Sequence, residues 1–332
     1  MNLEELAKKF VAEKLEPPQS MLIYGPPKSG KTVLAAQLAR HYHLHYFDCD
    51  GGYEALFGAV PKEFWKNITL YRVYDTPTAP NAVALATKVF GSAKPVHICE
   101  EHGSADCAEC LKAKKAFQVF DKSKLTTRDV VVWDSGTQLS ASAMNQAIGK
   151  LGELDYRKKE YGHYDQQGLF LSNILAYQKR MPCHRVMITH EQNLALTSGE
   201  KKIIPVLGTS NFARQCAKDF GHVVYAQLKN NKHSIITGTL SNSNIGAGSR
   251  SNLDIKDGTE LYKLFGAEAI TNAVTNLSYT TSEEEKEPDI EIPVEEATES
   301  VAPAIVNVTV QPKATPERPL TALEKLRAAQ VK

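Results

Sequence analysis

Gly25-Pro26-Pro27-Lys28-Ser29-Gly30-Lys31-Thr32 satisfies the phosphate-binding pattern G-x-x-x-x-G-K-[ST] at every fixed position. Its flanks agree with it. Met21-Leu22-Ile23-Tyr24 is an apolar run suited to a buried strand, and Val33 to Arg40 is a stretch of good helix formers. A strand, this loop and a helix form the geometry that phosphate binding needs. The two glycines let successive N–H groups turn inward, and the helix N-terminus adds partial positive charge. Lys31 is expected to reach the β- and γ-phosphates and the Thr32 hydroxyl to ligate magnesium. The stretch predicts a chain that binds a nucleoside triphosphate, ATP in the first instance.

Working outward, Arg128 to Ser135 is an unbroken apolar strand ending in Asp134-Ser135. An aspartate at a strand tip beside a phosphate loop holds the magnesium shell, so Asp134 is a candidate site residue. His45 to Gly52 reads as another strand, ending in Asp48-Cys49-Asp50-Gly51-Gly52. Strand ends of open α/β sheets face the ligand crevice. Asp50 there is either a carboxylate that polarises the attacking water or a turn-capping residue. His184 to Gln192 is a further core strand, and His190 at its end is either a sensor of the γ-phosphate or a structural histidine. Further strands are expected over 68–74, 220–228 and 234–240, and helices over 81–90, 139–150 and 169–180. The architecture predicted is α/β, a P-loop core over 18–280 with a central, mostly parallel sheet.

Between these elements the texture changes. Cys99, His102, Cys107 and Cys110 are spaced C-x-x-H, four residues, C-x-x-C. Two such pairs supply the closed Cys₃His set that zinc prefers, with His97 as a possible substitute for His102. A small zinc-stapled insertion over 95–115 is therefore expected, its metal taking the place of a core too small to hold the loop alone. Chance clustering of reduced cysteines is the alternative.

The totals bound the rest. The chain has 332 residues, 42% hydrophobic and 23% charged, with a formal net charge of +1. By count, residues 283–332 carry about 11 acidic and 6 basic side chains, which leaves about +6 on the remainder. The tail over 281–332, rich in Glu, Pro, Val and Ala, is expected to be largely disordered with one possible helix near its end. It either solubilises the protein, shields a DNA-binding face, or recruits a replication or recombination partner. Residues 1–17 read as a short amphipathic helix for the core or for a neighbouring subunit. No run reaches membrane-spanning length, and six cysteines without a disulfide spacing point to a reducing, cytoplasmic compartment. Tyr156 to Tyr164 interleaves aromatics with bases, which fits either single-stranded nucleic acid or a solvated helix with tyrosines at its edges. Leu194 to Pro205 reads as a hairpin-like loop that could face DNA. Arg250, in the Gly246-to-Ser251 loop, is either an arginine finger acting in trans or a plain surface residue.

Taken together, the phosphate loop, the Asp50 strand end, the Asp134-Ser135 strand, the Thr189-His190-Glu191 strand end and the late Gly-Ser-Arg loop form a recognisable order. Over roughly residues 18–265 the chain resembles the phage-encoded RecA-like core ATPases. These are AAA-type nucleotide-binding proteins, some of which anneal single strands. The resemblance implies a RecA-like fold, a homo-oligomer, and ATP-dependent action on single-stranded DNA in recombination, annealing or repair. It places Asp50 where the family carries a catalytic carboxylate, usually Glu, so slow turnover is expected from the shorter side chain. It places His190 at the γ-phosphate sensor and Arg250 near a trans-acting residue. Two rival functions use the same loop: an ATP-dependent switch or loader that recruits replication partners, and a helicase-type motor.

Overall fold

The computed structural model describes residues 17–152, 155, 159–195, 201–238, 244–250, 253 and 255–266. All lie in the first of two compact units, Met1–Tyr279; the second, Thr280–Lys332, is outside them with the acidic tail, as are residues 1–16 of the N-terminal helix expected over 1–17.

The strands are β1 (Ser20–Gly25), β2 (His43–Asp48), β3 (Ile68–Arg72), β4 (Val96–Cys99), β5 (Phe117–Phe120), β6 (Asp129–Asp134), β7 (His184–Ala195), β8 (Lys201–Pro205), β9 (His222–Lys229), β10 (Lys232–Ile236) and β11 (Gly248–Ser249). The α-helices are α1 (Lys31–Ala36), α2 (Glu54–Ala59), α3 (Asn81–Gly91), α4 (Ala108–Lys112), α5 (Gly136–Lys150), α6 (Tyr161–Gln178) and α7 (Ser210–Cys216). The main sheet runs β10-β9-β1-β7-β6-β2-β3, and its interior pairings are parallel. β10, β11 and β8 add antiparallel partners at the periphery.

Period-two alternation divides the buried side chains between two cores. Leu22, Tyr24, Phe47 and Trp133 face α3, α5 and α6, while Met21, Ile23, Leu44 and Tyr46 face α1 and the 3₁₀ helix Gly258–Leu264. Both faces are covered, which is why β1 and β6 read as continuous apolar runs rather than alternating ones. The topology positions the site. β1 lies between β9 and β7, and β7 separates it from β6, so the tips of β1, β7 and β6 open side by side at one edge of the sheet.

Most expected strands and helices are present, with shifts at their ends; of the strand expected over 234–240 only Ser234–Ile236 lies in β10, residues 239–240 being outside the described residues, and the helix expected over Val33–Arg40 is α-helical only to Ala36 and continues as a 3₁₀ turn. The helix expected over 169–180 begins at Tyr161, because Glu160 and His163 form a reciprocal capping box. The turn after β9 holds Asn230 and Asn231 at φ 52° and 58°, the left-handed pair that a two-residue hairpin turn demands. The metal-ligand segment holds more than two turns. β4 and β5 pair as a small antiparallel sheet, and Val96, Ile98 and Phe120 join the main core beside Phe47 and Tyr71.

Candidate functional site

The phosphate loop leaves β1 at Gly25 and enters α1 at Lys31. Lys28 and Gly30 both take left-handed conformations, φ 63° and 85°, which curls the backbone into the anion-binding concavity such loops make. At Gly30 a Cβ would also stand 3.0 Å from the His233 ring, a tight contact that the ring would have to relieve. The Lys31 ammonium is buried and donates to the Gly25 and Pro26 carbonyls at 3.1 and 2.7 Å. Burial lowers its pKa, opposed by the carboxylates of Asp134, Glu191 and Asp50.

At the tip of β6, Asp134 is buried and accepts hydrogen bonds from the Thr32 hydroxyl at 2.7 Å and the Tyr46 hydroxyl at 2.6 Å. Burial pushes its carboxyl up to about 6, against the lowering effect of those two bonds. The Asp134–Ser135 peptide is cis. Thr32 and Asp134 therefore present adjacent oxygens beside the lysine, the hard donor set that magnesium takes.

Two carboxylates stand at the end of β2, Asp48 as its last residue and Asp50 just beyond it, in different surroundings. Asp48 is the turn-capping residue. It is buried, its Oδ1 accepts from the N–H groups of Asp50 and Gly52, and its Oδ2 accepts from Tyr53 N–H. Asp50, held out by that turn, is exposed and lines a cavity of about 360 Å³ together with Lys31, Thr32, Asp134 and His190. His190 sits at the β7 tip with its backbone N–H donating to Thr137 Oγ1 at 2.9 Å. Its Nδ1 is buried without a hydrogen-bond partner among the described residues. Burial, with the Lys31 charge, lowers its pKa, so the ring is neutral near pH 7. Gln192, two residues on, is instead engaged with Pro205 O at 3.3 Å.

The structure thus brings Lys31, Thr32, Asp50, Asp134 and His190 to one cavity. It places Arg250 elsewhere: exposed, with its N–H on Gly221 O, next to β11 at the start of β9 and so at the sheet end away from the loop. Tyr46 and His233 belong to the site and were not read from the sequence. Tyr46 looks like one more apolar strand residue, and His233 arrives through the β9–β10 hairpin, far along the chain; its Nδ1 lies 3.0 Å from Ser29 O.

The second constellation is Cys99, His102, Cys107 and Cys110, whose ligand atoms all lie within 4.8 Å of one another. His102 Nδ1 stands 3.5 Å from Cys107 Sγ and 3.3 Å from Cys110 Sγ. Ligands of a tetrahedral thiolate–imidazole site stand about 3.5–3.8 Å apart, so the donors fit such an ion with slight contraction. His97 points elsewhere, toward Asp106 at 3.8 Å.

Fold and site together define an α/β P-loop nucleotide-binding domain of the AAA type. The family model for the AAA domain matches residues 17–251, and the chain belongs to that family. No curated protein matches it. Among solved structures it is similar to the RadB recombinase, at 14% identity over 71% of this chain and 87% of that one, with a TM-score of 0.37. It is also similar to an ATPase from the type III secretion system of pathogenic bacteria, at 12% identity over 64% and 53%, with a TM-score of 0.38. Among the described residues no helix is long and apolar enough to cross a membrane.

Proposed function

We propose that the protein binds and hydrolyses magnesium ATP and acts, as a homo-oligomer, on single-stranded DNA in recombination, annealing or repair. The observation that carries the nucleotide part is the convergence of Lys31, Thr32, Asp134, Asp50 and His190 on one cavity. Lys31 and the loop N–H groups would hold the β- and γ-phosphates, and Thr32 with Asp134 the magnesium ion. Asp50, the exposed carboxylate, would orient the attacking water. His190, which lines the cavity, would meet the γ-phosphate as a hydrogen-bond donor. Because β7 continues past His190 into the β7–β8 hairpin, which carries exposed Lys201 and Lys202, a change at the γ-phosphate has a short route to a basic surface element. Arg250, exposed and remote from the phosphate loop of its own chain, would act on the site of a neighbouring subunit. The Cys₃His cluster would hold zinc as a structural ion, all four positions being filled by protein. The tail over 281–332 would serve a replication or recombination partner.

The test is ATP turnover and particle size of the purified protein, with and without single-stranded DNA, with Lys31→Ala as control. Turnover and assembly that both depend on DNA and are both lost in the variant are expected. ATP binding that responds to DNA in neither signal would sink the DNA reading and favour an ATP-dependent switch or loader.

A further inference from the structure

The first turn of α5 joins the two strand tips that carry Asp134 and His190. Ser135 caps it, its Oγ accepting from Gln138 N–H at 3.1 Å, and Thr137 Oγ1 accepts the backbone N–H of His190 at 2.9 Å. Gly136 lies against the end of β7, where a Cβ would stand 2.8 Å from Thr189 Cγ2 and 2.9 Å from Met187 Sδ. The turn is held from outside the cavity by Asp75, a half-buried carboxylate three residues beyond β3 and 63 residues before Gln138. We infer that Asp75 is a positioning residue for the nucleotide site: through Gln138 it fixes the first turn of α5, and with it the spacing between Asp134 and His190. This role presupposes that the cavity takes magnesium ATP, as proposed above, and adds a residue from outside the cavity on which its geometry depends.

Asp75 does more than cap a turn. Its Oδ1 accepts from Ala82 N–H at 2.9 Å, at the start of α3, which is the local role. The same Oδ1 accepts from the Ser142 hydroxyl at 2.8 Å, and Oδ2 accepts from Gln138 Nε2 at 3.0 Å, so two of the three donors belong to α5. Ser142, fully buried, in turn accepts from Val83 N–H at 3.1 Å, which locks α3 and α5 together at this point. All three donors to Asp75 are neutral, and a charged acceptor strengthens each bond. α5 has no acidic residue in its own first turn, so Asp75 supplies from another element the negative charge that a helix start favours. The phosphate-holding groups do not depend on this arrangement. Lys31 and the loop N–H groups come from the β1–α1 connection, on a different part of the chain. Loosening the α5 turn would therefore leave the triphosphate bound and let Asp134 and His190 shift relative to it, a misplacement that costs rate more than binding.

The test measures ATP turnover, ATP affinity and the magnesium concentration that half-saturates ATP binding, all on the full chain. Gln138→Leu cuts the link to Asp75 and leaves the α3 cap in place. It is expected to lower kcat about 10-fold and raise the half-saturating magnesium about threefold or more, with ATP affinity at saturating magnesium within about twofold. Asp75→Ala should match it in both signals, and the double variant should be no worse than Asp75→Ala, since both substitutions remove one link. Asp75→Asn should recover most of the loss. Its carbonyl keeps Ala82 and Ser142, and the Gln138 amide can turn to give its own carbonyl to the new NH₂ group. A merely structural Asp75 would lower the unfolding midpoint of Asp75→Ala while Gln138→Leu kept the parent's kcat and magnesium dependence; that result overturns the assignment, as does additivity of the two substitutions. If the parent binds ATP without turning it over, the magnesium shift alone decides. ATP binding that survives Lys31→Ala is a different failure, that of the phosphate reading itself.

Discussion

Lys31 is 6% exposed, and two loop carbonyls replace its water shell. Burying an ammonium on such partners is unfavourable until a polyanion arrives, which is why burial lowers its pKa. Lys31→Ala should therefore cost ATP affinity about 100-fold or more while leaving the unfolding midpoint unchanged or slightly raised. Calorimetry and urea denaturation on one preparation would check both halves. Tyr46 behaves in the opposite way. Its hydroxyl is wholly buried and donates to Asp134 at 2.6 Å, so Tyr46→Phe removes one of two donors from a buried carboxylate. The expected loss is about 1.5–3 kcal/mol of folding stability, read from urea denaturation. A variant as stable as the parent would mean that Asp134 does not depend on this bond. The site's motif residues were legible because each lies in a short local pattern: Lys31 and Thr32 in an eight-residue loop, Asp134 at the end of four apolar positions, Val130 to Trp133. Tyr46 was not, because its role depends on the parallel register of β2 with β6, and nothing local announces a register.

Among the elements, the β4–β5 hairpin is the one whose stability has the least support from its own size. Its two strands have four residues each, and it reaches the body of the protein through Val96, Ile98 and Phe120 and through Gly103. Gly103 has φ 62°, and a Cβ there would stand 2.1 Å from Arg72 O at the end of β3. The loop bearing His102 is thus pressed against the sheet edge at a point where only glycine fits. If a zinc ion staples this hairpin, the purified protein carries about one zinc per chain by elemental analysis. Cys107→Ser should lower that content and reduce hydrogen-exchange protection over 96–120 while leaving the β1–β7 pairing protected. Full protection in metal-free protein would show that apolar packing alone holds the hairpin. The clustering of Cys99, His102, Cys107 and Cys110 was readable from spacing, since C-x-x-H and C-x-x-C carry their geometry locally. The β5 strand was not, because Phe117-Gln118-Val119-Phe120 is too short to show a period and gains its identity from pairing with β4. The same holds for α2 and α7, six and seven residues whose helicity comes from where they pack.

Across the whole molecule, the end of the sheet away from the phosphate loop is closed by two neutral histidines. His184 is fully buried, accepts the Gln19 N–H at Nδ1 at 3.0 Å, and stacks on Phe265 with ring centroids 4.5 Å apart. His222 is 2% exposed and shares a 2.7 Å hydrogen bond with Ser249 of β11. They tie the last described helix and β11 to the starts of β7 and β9. Burial holds both well below the ordinary histidine value, at about 4, helped by the charges of Arg185 near His184 and Arg250 near His222. A histidine with a depressed folded pKa takes up its proton more readily in the unfolded chain. Its contribution is therefore complete above about pH 6.5 and is lost as the pH falls toward 4. Each should remove roughly 1.4 kcal/mol of stability for every pH unit below 6.5, so moving from pH 7.5 to 5.5 should cost about 2–3 kcal/mol in all. Urea denaturation at the two pH values measures this directly. His184→Phe keeps the stacking and removes one titrating group, so it should lower the baseline slightly and halve the pH dependence. If the variant and the parent lose the same stability between the two pH values, His184 is not one of the groups through which acid opens this end of the sheet.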